Sequence, residues 1–160
     1  SGDFDEVNIN KLLNDTIQLI EPQLRRSQIE IIKDYAESSP KVMGNAGKLQ
    51  QVFTNLILNA RDAMYGEGGV TLTTRNGGGD VVIEVADTGE GIPEENISKI
   101  FDPFFTTKGV GNGTGLGLAV TYGIVQEHGG TIEAVSEKGD GTTFRIVFPT
   151  AAAIEQRAVS

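Results

Sequence analysis

QQVFTNLILNARDAM, Gln50 to Met64, carries the pattern from which the rest of the chain can be placed. Leu49, Val52, Phe53, Leu56, Ala60, Ala63 and Met64 recur at helical spacing and form one apolar stripe. Asn55, Asn59 and Asp62 follow the i, i+4, i+7 rule, so they stack along one line of that helix, beside the stripe. A solvated face more usually carries Lys and Glu. Amides at the edge of a core suggest a polar pocket. Taken alone, the segment fits an ordinary amphipathic helix with incidental amides equally well.

The 160 residues suffice for one domain with a real core, expected over residues 1–150, with 151–160 as a tail. Apolar content of 38% with 22% charged residues places the chain in the soluble globular class. No apolar run reaches membrane-spanning length, so direct membrane contact is not expected. The absence of cysteine excludes disulfides and thiolate metal sites and is compatible with a cytoplasmic setting. A formal net charge of −9 argues against nucleic acid or an anionic membrane as partner. Most of the 21 glycines fall between Gly66 and Gly141, where tight turns or close approach of backbone to a ligand would need them.

Along the chain, Ile9, Leu12, Leu13, Ile17, Ile20 and Leu24 predict a helix from Asn8 to Arg26, capped by Asn8, with a kink or break at Pro22. Ile29–Asp34 reads as a strand and Val42-Met43 as a brief extended piece. Asn45 is placed to cap the central helix, which should stop near Tyr65 before Gly66-Glu67-Gly68-Gly69. Val70–Arg75 and Asp80–Asp87 are strands of a hairpin joined by Asn76-Gly77-Gly78-Gly79. Val81, Ile83, Val85 and Asp87 share one face, so a carboxylate should point inward as the strand ends. A short helix at Glu94–Ile100, a loop over Phe101–Gly115 and a helix over Leu116–Glu127 follow. The strands Thr131–Ser136 and Thr142–Phe148 complete the domain. This order predicts an α/β two-layer sandwich: a mixed, mostly antiparallel sheet covered on one face by three helices.

Four motifs, NLILNARDA, DTGEGIP, FDPFFTTK and GTGLGL, stand in order between Asn55 and Leu118. Together they resemble the ATP-binding catalytic domain of sensor histidine kinases, in the superfamily shared with gyrase, the heat-shock chaperone ATPases and the mismatch-repair ATPases. The resemblance spans about Phe4 to Pro149 and implies the Bergerat-type ATP-binding fold. NARDA with FFTTK is most similar to the nitrogen-regulation type.

The resemblance implies ATP and Mg²⁺ as cofactors and assigns the site residue by residue. Asn59 corresponds to the amide ligand of Mg²⁺, a hard oxygen donor suited to that ion. Asn55 would support the metal or its water shell. Asp87 corresponds to the adenine reader: a carboxylate accepts, and the exocyclic amine of adenine donates. Guanine would set carbonyl against carboxylate, at a cost of about 1–3 kcal/mol per unpaired buried group. Gly89 and Gly91 would admit the base and ribose, Ile92 would pack near the ring, and Thr142 would reach adenine through water. Gly113, Thr114, Gly115, Leu116 and Gly117 resemble the second glycine box, whose N–H groups face phosphate. Phe101, Phe104 and Phe105 resemble the lid anchor. Lys108 is the cation expected at the terminal phosphate. Asn55, Asn59 and Lys108 are thus the expected catalytic residues, with Asn59 as the metal ligand.

Two departures from the superfamily pattern matter. Asp62 stands where many members have Lys or Arg, so it should order metal-bound waters or pair with a neighbouring cation. Asn55 stands one turn before the metal asparagine, where hydrolytic members carry a Glu that activates water; an amide cannot take that proton. What remains is positioning and electrostatic stabilisation of phosphoryl transfer. The lone histidine, His128, lies in EHGGTI and reads as a capping or packing residue, not a phosphoacceptor. The expected activity is that of a protein-histidine kinase domain. Its acceptor histidine would sit on a separate dimeric helical hairpin preceding Ser1, with a response regulator downstream. The isolated domain is expected to be monomeric, and a membrane anchor elsewhere in the full-length kinase is compatible with this. The alternatives are a nucleotide-binding interaction module whose lid gates docking without transfer, and a stand-alone ATPase.

Overall fold

The structure, a computed structural model, describes residues 3–64, 67–103, 105, 117–136 and 139–154. Its described elements run β1 (Asp5–Asn8), α1 (Ile9–Arg26), β2 (Ile29–Asp34), β3 (Lys41–Gly44), α2 (Ala46–Asp62), β4 (Gly68–Gly77), β5 (Asp80–Asp87), α3 (Glu94–Ile97), α4 (Gly117–Glu127), β6 (Thr131–Ser136) and β7 (Thr142–Pro149). One sheet has the order β2-β4-β5-β7-β6. The β2–β4 pair is parallel and the other pairs are antiparallel. The parallel β2–β4 pair is joined by a crossover through β3 and α2, and β5 is joined to β6, which runs parallel to it beyond β7, by a second connection that contains α3 and α4.

Helix α2 lies between α1 and α4 and packs on β4 and β5. Leu49, Val52, Phe53 and Leu56 of the expected stripe are fully buried; so is Ile57, which the stripe did not include, whereas Ala63 is only half-buried. Opposite it, β5 buries every second residue, as do Phe144, Ile146 and Phe148 of β7. The helices therefore cover one face of the sheet, and the period-two strands supply the other half of the core. The open face carries Thr73, Glu84, Arg145 and Glu133 in one cross-strand row.

Asn8 and Asn45 both cap as expected, accepting the backbone N–H groups of Lys11 and Lys48 at 3.0 and 2.9 Å. The expected break at Pro22 does not occur: α1 runs unbroken from Ile9 to Arg26. Proline removes the hydrogen bond to the carbonyl four residues earlier, and its ring crowds that same carbonyl. Pro22 and Gln18 are both exposed, so that carbonyl can turn to water. β1 was not anticipated. It is four residues long and pairs with β3, with Val7 its sole buried side chain, too short for a readable alternation. α3 ends at Ile97, short of the expected Ile100, and the chain continues in turns, with the Lys99 and Asp102 N–H groups bonding three residues back. Gly78, at φ +74°, makes the tight β4–β5 turn. Among the described residues no helix is long and apolar enough to cross a membrane.

Candidate nucleotide site

Asp87 ends β5 on the helix-covered face and is 8% exposed, the one buried carboxylate among the described residues. Its Oδ1 accepts the Gly89 N–H at 2.9 Å and the Thr142 N–H at 3.3 Å. Burial pushes its pKa above the ordinary carboxylate value, and those two N–H bonds oppose the shift without cancelling it. Oδ2 has no protein partner among the described residues, yet no described buried polar atom lacks one. Oδ2 therefore opens outward, fixed in direction by its twin oxygen.

Thr142 stands directly across from Asp87 in the β5–β7 ladder and is 5% exposed. Cross-strand partners project on the same face, so hydroxyl and carboxylate adjoin. Ile92 packs against the core, and its N–H reaches across to Ser136 Oγ on β6 at 2.7 Å. Ser136 is a functional candidate that the sequence reading passed over. The alternation that marks Asp87 also puts Ser136 on the inward face with Ile132 and Ala134.

The glycines of the Asp87–Pro93 turn serve the fold as well as any ligand. A Cβ on Gly89 would lie 2.5 Å from the Ala63 carbonyl oxygen, because the turn packs on the end of α2. Glu90 N–H donates to that same carbonyl at 3.1 Å. Gly91 takes φ +77°, a conformation L side chains rarely adopt.

Along α2, Asn55 and Asn59 are half-buried on one line, as their spacing requires. Asn55 Nδ2 donates to the Gly117 carbonyl at 3.2 Å and to Thr121 Oγ1 at 3.3 Å, tying α2 to the first turn of α4. A carbonyl can only accept, so the nitrogen must be the end that faces α4. Thr121, fully buried on the apolar face of α4, is a second residue missed from sequence. A Cβ on Gly117 would only touch Asn55 at 4.0 Å, so packing among the described residues does not demand glycine there. The Asn59 side chain has no hydrogen-bond partner among the described residues. Asp62 is exposed and pairs with the Arg61 guanidinium at 2.9 Å, the second of the two roles expected for it.

Phe101 packs edge-on to Phe144, with ring centroids 6.2 Å apart, and against Tyr122 of α4 at 5.4 Å. Phe105 also packs on the core, in keeping with an anchored start to the loop. Phe104, Lys108, Gly113, Thr114, Gly115 and Leu116 lie outside the described residues. His128 is 6% exposed and fully engaged: Nδ1–H donates to the Ile124 carbonyl at 2.8 Å, Nε2 accepts the Asn45 N–H at 3.0 Å, and Phe4 stacks on the ring at 4.5 Å. It is a packing residue, as read.

Residues 44–152 match the family described as histidine kinase-, DNA gyrase B-, and HSP90-like ATPase. The chain belongs to this family. Among curated relatives, the sensor kinase CckA of Brucella abortus (strain 2308) is 43% identical over 83% of this chain, which corresponds to 16% of CckA. The catalytic domain of histidine kinase ThkA superposes with a TM-score of 0.83 at 33% identity, covering 92% of this chain and 96% of that one. ThkA has also been solved in complex with the response regulator protein TrrA; there the TM-score is 0.79 at 31% identity, covering 91% and 41% of the two chains. Full-length ShkA in complex with AMPPNP gives 0.84 at 31% identity, covering 94% and 32%. The chain spans less than a third of the length of the curated relatives CckA and ZraS of Escherichia coli (strain K12). The α/β fold expected from the element order is that of the histidine kinase catalytic domains. These relatives show the family and do not distinguish the nitrogen-regulation subtype within it.

Proposed function

We propose that this domain binds ATP with Mg²⁺ between Asp87 and α2 and donates the γ-phosphoryl group to a histidine on a dimeric helical hairpin outside this chain. The observation that carries the reading is the Asp87 carboxylate: buried, anchored through one oxygen and open through the other. An acceptor fixed in that way suits an exocyclic amine and opposes a carbonyl. Thr142 beside it offers a second polar contact, through water, and Ile92 with Gly91 would flank the ring.

The half-buried Asn59 amide, without a partner among the described residues, fits a hard cation. Among the described residues no group of three or more His, Asp or Glu side chains could hold a metal by itself. An ion here would therefore share one amide oxygen with phosphate oxygens and water, which is how Mg²⁺ is usually held. When bound, the metal neutralises charge on the phosphates. Asn55 is committed to α4 through its nitrogen, which leaves its oxygen as the end available to a ligand. Neither amide can remove a proton from water, which favours transfer over hydrolysis. Lys108 and the glycines from Gly113 to Gly117 are proposed to meet the phosphates, and the loop from Asp102 to Thr114 to close over them. By analogy with the ThkA complex, the phosphoryl group would pass on to a response regulator.

The test is transfer of label. The domain is mixed with the dimerisation hairpin of its own full-length kinase, radiolabelled ATP and Mg²⁺. Labelled hairpin is the expected result. Nucleotide binding without labelled hairpin would make the domain a binding module, and steady phosphate release by the domain alone would make it an ATPase.

A further inference from the structure

Ser136 Oγ sits at the junction of three segments. It lies 2.7 Å from the Ile92 nitrogen, 2.9 Å from the Gly141 carbonyl oxygen and 2.9 Å from Thr142 Oγ1. A serine hydroxyl has one proton to give. The Ile92 N–H can only donate, and the Gly141 carbonyl can only accept. The serine proton therefore goes to Gly141, and the contact with Thr142 must be filled by the threonine proton. Each of these groups then has a matched partner, and no described buried side-chain nitrogen or oxygen is left over. Thr142 in turn has spent its only proton on Ser136. It can offer nothing but lone pairs to whatever lies beside Asp87.

We infer that Ser136 is a positioning residue for base selection: by taking the Thr142 proton, it makes the base end of the site a surface of acceptors only. The inference rests on the proposed role of Asp87 as base reader. Asp87 Oδ2 and Thr142 Oγ1 then form one acceptor edge, complementary to an amine directly, or to a water that donates to threonine and to the ring nitrogen beside the amine, which accepts in adenine but carries an N–H in hypoxanthine. A purine with a carbonyl at the same position meets acceptor against acceptor. Without the serine, the threonine hydroxyl is free to rotate and donate to that carbonyl. The penalty against the wrong base would shrink although Asp87 is untouched.

The experiment is calorimetric titration of the domain with Mg²⁺ and either ATP or inosine triphosphate, whose base carries the carbonyl. Wild type should discriminate strongly for ATP. Ser136→Ala should narrow the ATP-to-inosine preference by about tenfold, the scale of one hydrogen bond, and Ser136→Thr should restore it. A merely structural serine would lower both affinities together and leave their ratio fixed, and that outcome overturns the inference. Should Ser136→Ala fail to fold, Thr142→Val takes its place. An unchanged ratio there overturns the inference too. Asp87→Asn separates the two levels: loss of discrimination with an unchanged Ser136→Ala ratio sinks the serine role alone, whereas full discrimination in Asp87→Asn sinks the base-reader reading beneath it.

Discussion

At Asp87 one carboxylate oxygen is already bound by two backbone N–H groups, whereas on α2 the Asn59 amide has no protein partner among the described residues. The proposed base end is assembled from strand ends, whose registers are held by the sheet ladders. The proposed phosphate end is assembled from one helix face and the start of another, joined through Asn55. A group that must choose between bases benefits from being fixed beforehand, since a movable acceptor could adapt to the wrong one. A group that must hold an ion and its phosphates is better left unpaired, because every internal hydrogen bond would have to be broken first.

The contrast can be broken most severely at α2. Asn59→Ala should abolish Mg²⁺-dependent nucleotide binding and labelling of the hairpin while leaving the thermal midpoint nearly unchanged, since the side chain makes no hydrogen bond among the described residues. Normal transfer by that variant would remove the metal role. Gly89→Ala should act the opposite way. Its Cβ would press on the Ala63 carbonyl, so the loss should show in thermal unfolding, by several degrees, with or without nucleotide. An undiminished midpoint would mean that the turn can shift off α2.

A third, smaller effect concerns proton linkage at Asp87. Its pKa is raised by burial, so the folded chain holds that proton more tightly than the unfolded chain. The stability it contributes is complete below the unfolded carboxylate value and disappears as pH rises through the raised folded value. Asp87→Asn should flatten that part of the curve of midpoint against pH. Nucleotide affinity should run the other way, weakening as pH falls through the folded value, because the base amine needs the ionised acceptor. The smallest effect is expected at the joint between the two helices. Thr121→Val keeps the shape but removes one acceptor of the Asn55 amide, which retains Gly117. The domain should bind ATP within a few-fold of wild type and label the hairpin more slowly; an unaltered rate would show that the Gly117 contact suffices.

Much of this was legible before the structure because it depends on short-range periodicity. The bounds of β5 and the inward turn of Asp87 follow from period-two alternation against a buried face. The caps at Asn8 and Asn45 follow from side-chain oxygens that reach N–H groups three residues on. Pro22 does not split α1, because the carbonyl that its missing N–H would have met faces solvent. Gly89 was read as room for a ligand, yet its nearest constraint is the carbonyl of Ala63, brought alongside only by packing of the turn on α2.

The linear sequence by itself determined the element order, the single amide line on α2 and the inward acid at the end of β5, since each is a consequence of local geometry repeated along the chain. Only the folded molecule decided which of those groups are already engaged. Hydrogen-bond partners such as Ser136 with Ile92, or Asn55 with Gly117, lie 44 and 62 residues apart, and no periodicity reports who will stand opposite whom once the layers close.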